Sequence, residues 1–513
     1  MVLEGTAPAA AIAEIAAGWQ HAVTEMTAAL GWPRPHCVVV RRADHLTLAF
    51  TAPGDRLLTA TEVNEWAWQE AVRRAGFAND PPCLSPGDLP RDEPAAVAQL
   101  SALTAIELRS RSSDLAVVAP EDRHVALVTG SNGKTTTTRL IAAMTTAHGW
   151  RSGWCCTDGV FLDGVAAEHG DWSGPAGAQR VIGDPSIQAA ILETARGGIL
   201  RRGLGVLGVD VAVVTNIEAD HFGEYGVSSL ADLATVKLVT AKGLRSSGVL
   251  VLNADDESLR ESTLPAGVQI QWFSPSGEAR PFESGGLAAW RDGDQLRLED
   301  ATGVHDLGEI SRMPITAAGR ASYNIANALA AALVASRLGV AAATIAKVLA
   351  SFGERPEDNA GRLHRFRFDG IEVLIDYAHN PTGLAGLLAV ARGLAPKRLL
   401  LLLGQAGNRD DEALAALAEA AWRARPDRII LKELEGYRRG RAVGEVPRLL
   451  AEELRRLGAP AEQMVIVLDE VAAVEEALRW AESGDVLVLP VHGLEARAAV
   501  LSLLAARAAL SSA

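Results

Sequence analysis

Along most of the chain, short runs of β-branched or leucine-rich residues alternate with longer stretches in which apolar residues recur every three or four positions. The short runs predict strands at His124–Thr129, Val211–Thr215, Gly248–Leu252, Glu372–Asp376, Leu399–Gly404, Arg428–Leu431 and Val486–Leu489. Helical periodicity fills the intervals, as over Thr136–Gly149, Ala321–Leu338 and Asp411–Arg425. Strands that alternate with helices are the pattern of parallel α/β sheets. One stretch departs from it. AAWRDGDQLRLED, with a turn at Asp292–Gly293, predicts a β-hairpin inserted in the first α/β region.

Two polar breaks punctuate this pattern. Residues 79–95 (NDPPCLSPGDLPRDEPA) are too rich in Pro, Asp and Gly to hold a regular element, and 353–362 (GERPEDNAGR) separates a helix from a new strand. The reading is a small α+β domain over 1–120, a P-loop α/β domain with a small β insertion over 121–355, and a Rossmann-like α/β domain over 356–513. The first domain mixes a helical pattern at Thr61–Ala75 with a strand-like run at His45–Phe50, and its role stays open.

Charge narrows the partners. With 49 basic against 63 acidic residues the net charge is −14, which disfavours nucleic acid or an anionic membrane surface as a partner. No apolar run has transmembrane length, and the amino terminus lacks a basic signal-peptide region, so a soluble cytoplasmic protein is expected. Cys37, Cys83, Cys155 and Cys156 form no C-x-x-C pair, which removes a zinc ribbon or a dithiol centre.

The sharpest local signal is HVALVTGSNGKTTTTRLIAAM. A strand runs into Gly130-Ser131-Asn132-Gly133-Lys134-Thr135 and then a helix. Glycines let backbone N–H groups turn around phosphate oxygens, and the helix N-terminus adds partial positive charge. Lys134 can reach the terminal phosphates, and a hydroxyl of Thr135 or Thr136 can ligate Mg²⁺. Val128 occupies the place of the first glycine of the usual P-loop pattern. A plain glycine turn carrying a surface lysine is the alternative, and a loop set between strand and helix argues against it.

TGSNGKTTT also resembles the phosphate loop of the Mur ligase family, ATP-dependent ligases that form amide bonds. Further stretches resemble that family in the same order: ETARGGILRRGL, TNIEADHFGEYG, the lysine of LATVK, NADD, SYNIANALAAA, GRL and DYAHNP, spanning residues 121–513. Within the family, TDGVFLDG, GDWSGPAGA and RRGRAVGE are most similar to the Mur-like half of cyanophycin synthetase. That enzyme also carries an ATP-grasp module for which this chain has no room, so an aspartate-adding activity is not expected.

The resemblance implies a reaction in which a substrate carboxylate attacks the γ-phosphate of ATP and an amine displaces phosphate from the acyl phosphate. It assigns Lys134, Glu193, His221 and Lys237 to catalysis, and Thr135, Glu193, His221 and Lys237 to Mg²⁺. ATP would be held by Gly130 through Thr136 at its phosphates, by Asn324 and Asn327 at the adenine, and by Arg362 and Asp376 at the ribose and phosphates, with Tyr323 where many relatives have histidine. Substrate contacts fall on His379, Asn380, Arg409, Asp410, Arg441 and Glu445. The lysine matching Lys237 is commonly carbamylated. An ammonium about 4 Å from a unit positive charge is repelled by roughly 4 kcal/mol at an effective dielectric of about 20, doubled for a divalent ion, and a carbamate reverses the sign. Otherwise Lys237 is an ordinary exposed helix lysine, as Lys242 nearby would be. The implied partners are a small-molecule amino acid and a carboxylate-bearing peptide or polymer, with homo-oligomer formation left open. A peptidoglycan-type or poly-γ-glutamate-type ligase sharing the same core is the runner-up, and a regulatory ATP-binding partner of a separate ligase, without chemistry of its own, is the contrasting reading.

Overall fold

The computed structural model describes residues 9–41, 46–51, 57–75, 116–219, 227, 229–278, 287–407, 409–434 and 436–511. Within them the chain divides into two compact units, one built from the first 115 residues with 199–203 and 221–233, the other from the remainder. The expected break at 79–95 lies outside the described residues.

In the amino-terminal unit, helices Ala9–Ala29 and Leu57–Arg74 accompany an antiparallel pair, Cys37–Arg41 with Leu46–Phe50. Ile15, Trp19, Val23 and Met26 recur at helical spacing and pack with Val63, Trp66 and Ala67. The Trp19 indole N–H donates to Asn64 Oδ1 at 2.9 Å, so burial of the ring leaves no orphan donor.

Among its described residues the main unit holds two large sheets and a short parallel pair, Val117–Val118 with Val206–Leu207. The first has eleven described strands, and its centre is parallel. Strand His124–Thr129 runs between Val209–Val214 and Ala189–Glu193, in registers that set Thr129 opposite Val214 and Val128 opposite Glu193. The chain leaves His124–Thr129 through helix Lys134–Ala147 and returns as Ser152–Cys156, on the far side of Ala189–Glu193, whereas Val209–Val214 joins on the other flank. The turn after Thr129 is therefore a topological switch point, where open α/β sheets bind ligands. The predicted hairpin is present as Ala288–Asp292 and Gln295–Asp300, with Gly293 at φ +61° in its turn. It adds to the parallel sheet through Gln269–Ser274 and is followed by Gly303–Glu309, so it prolongs the edge of this sheet.

Helix Ser322–Leu338 is buried on nearly every side, because alanines at 328, 330, 331, 332 and 335 let it lie close to both the sheet and helix Lys134–Ala147. Gly339, at φ +107°, ends it in a left-handed cap. The second sheet orders its strands His364–Phe368, Ile371–Asp376, Val486–Pro490, Leu399–Leu403, Arg428–Leu431 and Met464–Ile466, with only the first pair antiparallel among them. Leu399 through Leu403 are all buried, as a strand covered by helices on both faces requires. Among the described residues no helix is long and apolar enough to cross a membrane.

Candidate active site

The loop 130–133 is shaped by contacts that exclude side chains at two of its glycines. Gly130 takes φ +147° and Gly133 φ +84°; a Cβ would sit 1.8 Å from Thr215 Oγ1 at the first and 2.0 Å from Asn327 Oδ1 at the second. Thr215 Oγ1 donates to the Asn132 carbonyl at 2.6 Å, Asn216 Oδ1 accepts from Asn132 N–H at 2.9 Å, and Ser131 Oγ accepts from Glu218 N–H at 2.9 Å. The TNIE segment thus fastens the loop from below. Lys134 Nζ donates to the carbonyls of Gly130 and Ser131 at 3.0 and 2.9 Å, which keeps its charge over the loop.

Glu193 ends its strand fully buried (0% exposed), which excludes a surface or helix-capping carboxylate. Thr135 Oγ1 donates to its Oε2 at 2.8 Å and Thr157 Oγ1 to its Oε1 at 3.1 Å. Burial raises its pKa, opposed by the Lys134 charge and the Thr135 hydrogen bond. A carboxylate and a loop hydroxyl at this separation are hard oxygen donors of the kind Mg²⁺ takes. Lys237, in helix Leu230–Leu238, is buried (3% exposed), whereas Lys242 is exposed. The ordinary exposed-lysine reading therefore fails for Lys237. His221 lies outside the described residues. Among the described residues no three His, Cys, Asp or Glu side chains converge as a ligand set.

Asn324 and Asn327 are both buried and bonded to each other, Asn327 Nδ2 donating to Asn324 Oδ1 at 3.0 Å. Asn324 Nδ2 donates to the Ile315 carbonyl at 2.8 Å, and Thr137 Oγ1 donates to Asn327 Oδ1 at 3.4 Å. The pair braces the underside of the phosphate loop. The Tyr323 hydroxyl is buried without a partner, and its ring lies against Gly386.

The polar stretch 353–362 is more than a connection. Asn359 is buried, accepts from Thr136 Oγ1 at 3.4 Å and donates to the Arg362 carbonyl at 3.1 Å. Arg362 reaches Thr135, its Nη2 standing 3.5 Å from Oγ1, while its guanidinium lies 4.2 Å from the Tyr377 ring centre. Asp376 accepts from Leu363 N–H at 2.6 Å; burial pushes its pKa up, against the pull of Arg362. Asn380 caps helix Pro381–Gly393 by accepting from Gly383 N–H at 2.8 Å, and its Nδ2 donates to Asn132 Oδ1 at 2.8 Å. His379 Nδ1 lies 3.1 Å from the Tyr377 carbonyl.

The remaining four expected substrate contacts form a cluster of their own. Arg441 bonds the carbonyls of Gly407 and Arg409 and pairs with Asp411 and Glu445 at 2.9 and 3.1 Å. Asp410 caps helix Asp411–Arg423 through Ala413 N–H, and Arg409 is buried. These contacts fix the shape of the loop after strand Leu399–Leu403.

Sequence reading gave no role to Arg139, Thr157, Asp158 and Arg497, of which Thr157 bonds Glu193 while Arg139 and Arg497 bond Asp158. Thr157 and Asp158 stand in the TDG motif, so their position was visible though their contacts were not.

Residues 128–335 match the Mur ligase middle domain, and residues 361–490 match the Mur ligase glutamate ligase domain. The chain is 30% identical to the UDP-N-acetylmuramoyl-L-alanyl-D-glutamate–2,6-diaminopimelate ligase of Alkalilimnicola ehrlichii, over 72% of this chain and 71% of that protein. It belongs to the Mur ligase family. Cyanophycin synthetase of Nostoc sp. is 34% identical over 71% of this chain, which spans 40% of that protein's length. Among solved structures, E. coli FolC in complex with DHPP and ADP superposes with a TM-score of 0.54 at 21% identity, covering 79% of this chain and 93% of that one, and shares the fold.

Proposed function

We propose that this protein is an ATP-dependent acid–amino acid ligase that works through an acyl phosphate, in the cytoplasm, with residues 121–355 binding ATP and 356–513 admitting the amine. The observation that carries the reading is the contact of Thr135, next to the loop lysine, with the fully buried Glu193. A buried carboxylate facing a phosphate loop is costly unless it is paired, and a divalent metal ion pairs it. Thr135 and Glu193 would hold Mg²⁺, with His221 and a carbamylated Lys237 completing the set. The metal would screen the repulsion between the γ-phosphate and the incoming carboxylate.

The loop N–H groups and Lys134 hold the triphosphate in line for attack, and the buried surroundings strengthen each electrostatic contact. The carboxylate oxygen bonds to the γ-phosphorus as the bond to ADP breaks. The amine then attacks the acyl carbon, phosphate leaves, and the amine's proton passes to a base or water. Asn324 and Asn327 act on ATP through the loop they brace, and Arg362 and Asp376 meet it from the second sheet. His379 and Asn380, with the separate cluster of Arg409, Asp410, Arg441 and Glu445, would contact the incoming amino acid. The amine is arginine or lysine and the carboxylate an aspartyl or glutamyl group, following the similarity to cyanophycin synthetases. The diaminopimelate ligase relative, most of whose length this chain covers, supports a muramyl-peptide carboxylate as the second reading.

The test is release of ADP and phosphate with Mg²⁺ and bicarbonate, crossing amino acids with aspartyl, glutamyl and muramyl peptides, with mass spectrometry of each product. An ATP-dependent product heavier by one amino-acid residue is expected. Nucleotide binding without turnover on any pair would favour a regulatory subunit. ¹³C-bicarbonate should give a carbamate resonance that Lys237→Ala removes along with activity; undiminished activity in that variant rules the carbamate out.

A further inference from the structure

Guanidinium N–H groups buried without an acceptor are costly, so a cluster of arginines that leaves some of them unbonded inside a protein asks for an anion. Arg139, Arg362 and Arg497 surround Asp158. Arg139 Nη2 donates to Asp158 Oδ2 at 2.8 Å, and Arg497 Nη2 bonds Oδ1 of the same carboxylate. All three arginines help to hold the Asp158 carboxyl below the usual range, although burial opposes them. Both carboxylate oxygens are thus engaged. Yet the Nη1 atoms of Arg362 and Arg497 are buried with no hydrogen-bond partner, and Arg497 is only 5% exposed.

The Arg497 side chain passes over Gly361, where an added Cβ would lie 2.7 Å from its Cδ and where φ is +71°. Glycine beside Arg362 is therefore what admits the second arginine. Tyr377 stands beside both guanidinium groups, 4.2 Å from that of Arg362 and 5.5 Å from that of Arg497. The cluster adjoins the phosphate loop by two routes: Arg362 approaches Thr135, and Thr157, the residue before Asp158, donates to Glu193.

We propose that Arg497, supplied by helix Leu494–Ser511, binds the terminal phosphoryl group of ATP together with Arg362, Asp158 holding it in place from the other side. The inference rests on the ATP reading given above. A substrate carboxylate would also suit a guanidinium, but two unbonded Nη1 atoms, one of them on the arginine whose Nη2 approaches Thr135, fit the several oxygens of a phosphoryl group better.

The test is calorimetric binding of ADP and of the β,γ-imido analogue of ATP, both with Mg²⁺, to wild-type protein, Arg497→Ala and Arg497→Lys. Arg497→Ala should bind the imido analogue at least tenfold more weakly, with ADP affinity changed less than about twofold. Arg497→Lys, which keeps the charge but loses the planar fork, should fall between. Thermal unfolding checks that each variant folds; should Arg497→Ala not fold, Arg497→Lys carries the comparison, and wild-type affinity in it overturns the proposal. Equal losses for both nucleotides would reduce Arg497 to a structural tie. Unchanged analogue affinity with a raised KM for the carboxylate substrate would assign the anion to that substrate instead. Each of these results overturns the proposal while leaving the ATP reading intact. Failure of wild-type protein to bind either nucleotide defeats the ATP reading, and this inference with it.

Discussion

Gly133 meets two demands at once: a left-handed backbone and a contact with Asn327 too close for any side chain. Gly133→Ala should therefore cost about 1–3 kcal/mol, the range for a strained backbone position, and distort the loop that Asn327 braces. Urea unfolding checks the stability loss, and a variant as stable as wild type would refute it. Gly133→Ala should cost less in an Asn327→Ala background than in the wild type, because that background lacks the clash but keeps the φ strain. The reading of Gly133 as a loop glycine was available from GSNGK alone. Its dependence on Asn327, nearly two hundred residues later, was not, because sequence spacing carries no information about which helix lies beneath a loop. The asparagine pair shows the same limit. A spacing of three puts both on one face of a helix, but not what that face meets.

At the carboxyl ends of the second sheet, three elements are joined by a buried polar network. Lys432, fully buried after strand Arg428–Leu431, bonds Glu470 at the start of helix Glu470–Trp480 and lies 3.0 Å from His492 Nδ1. Glu470 also accepts from the N–H groups of His492 and Gly493, and His492 Nε2 lies 3.0 Å from the Ala378 carbonyl. Glu470→Ala leaves a buried ammonium without its counter-charge and should cost about 3–5 kcal/mol, whereas Lys432→Met with Glu470→Leu should cost less. Urea unfolding of the single and double variants decides it; a double variant less stable than Glu470→Ala would sink the argument.

The same network sets a pH dependence. Burial, and then the Lys432 charge, hold the His492 pKa well below its usual value. The unfolded chain therefore takes up a proton that the folded chain refuses, so this contribution is complete above about pH 6.5 and is lost as pH falls toward the folded pKa. Stability measured from pH 7.5 to 5 should decline, and His492→Gln should flatten that decline. None of this was legible beforehand. Lys432 stands in RIILKELEG, where a lysine after an apolar run reads as the end of a strand, and its partners are 38 and 60 residues away.

The two large sheets of the main unit meet through the site itself. Arg139 donates to the Ala360 carbonyl at 3.1 Å, Asp158 pairs with Arg497, and the side-chain amides of Asn132 and Asn380 face each other. The alternation of strands and helices was enough to forecast both sheets, because a parallel sheet covered on both faces requires continuous apolar strands. The contacts joining them are single polar residues in loops, which periodicity cannot see. Asn380 tests whether these contacts transmit anything. Its Oδ1 caps helix Pro381–Gly393, and its Nδ2 reaches Asn132 in the phosphate loop. Asn380→Ala should lose about 1 kcal/mol through the cap alone, visible as faster amide exchange at Gly383. If the amide pair also steadies the loop, exchange at the Asn132 N–H, bonded to Asn216 Oδ1, should quicken in the same variant. Faster exchange at Gly383 with an unchanged Asn132 would mean that the TNIE segment and Asn327 hold the loop without help from Asn380. The second sheet would then reach the phosphates through Arg362 and Arg497 and not through the loop.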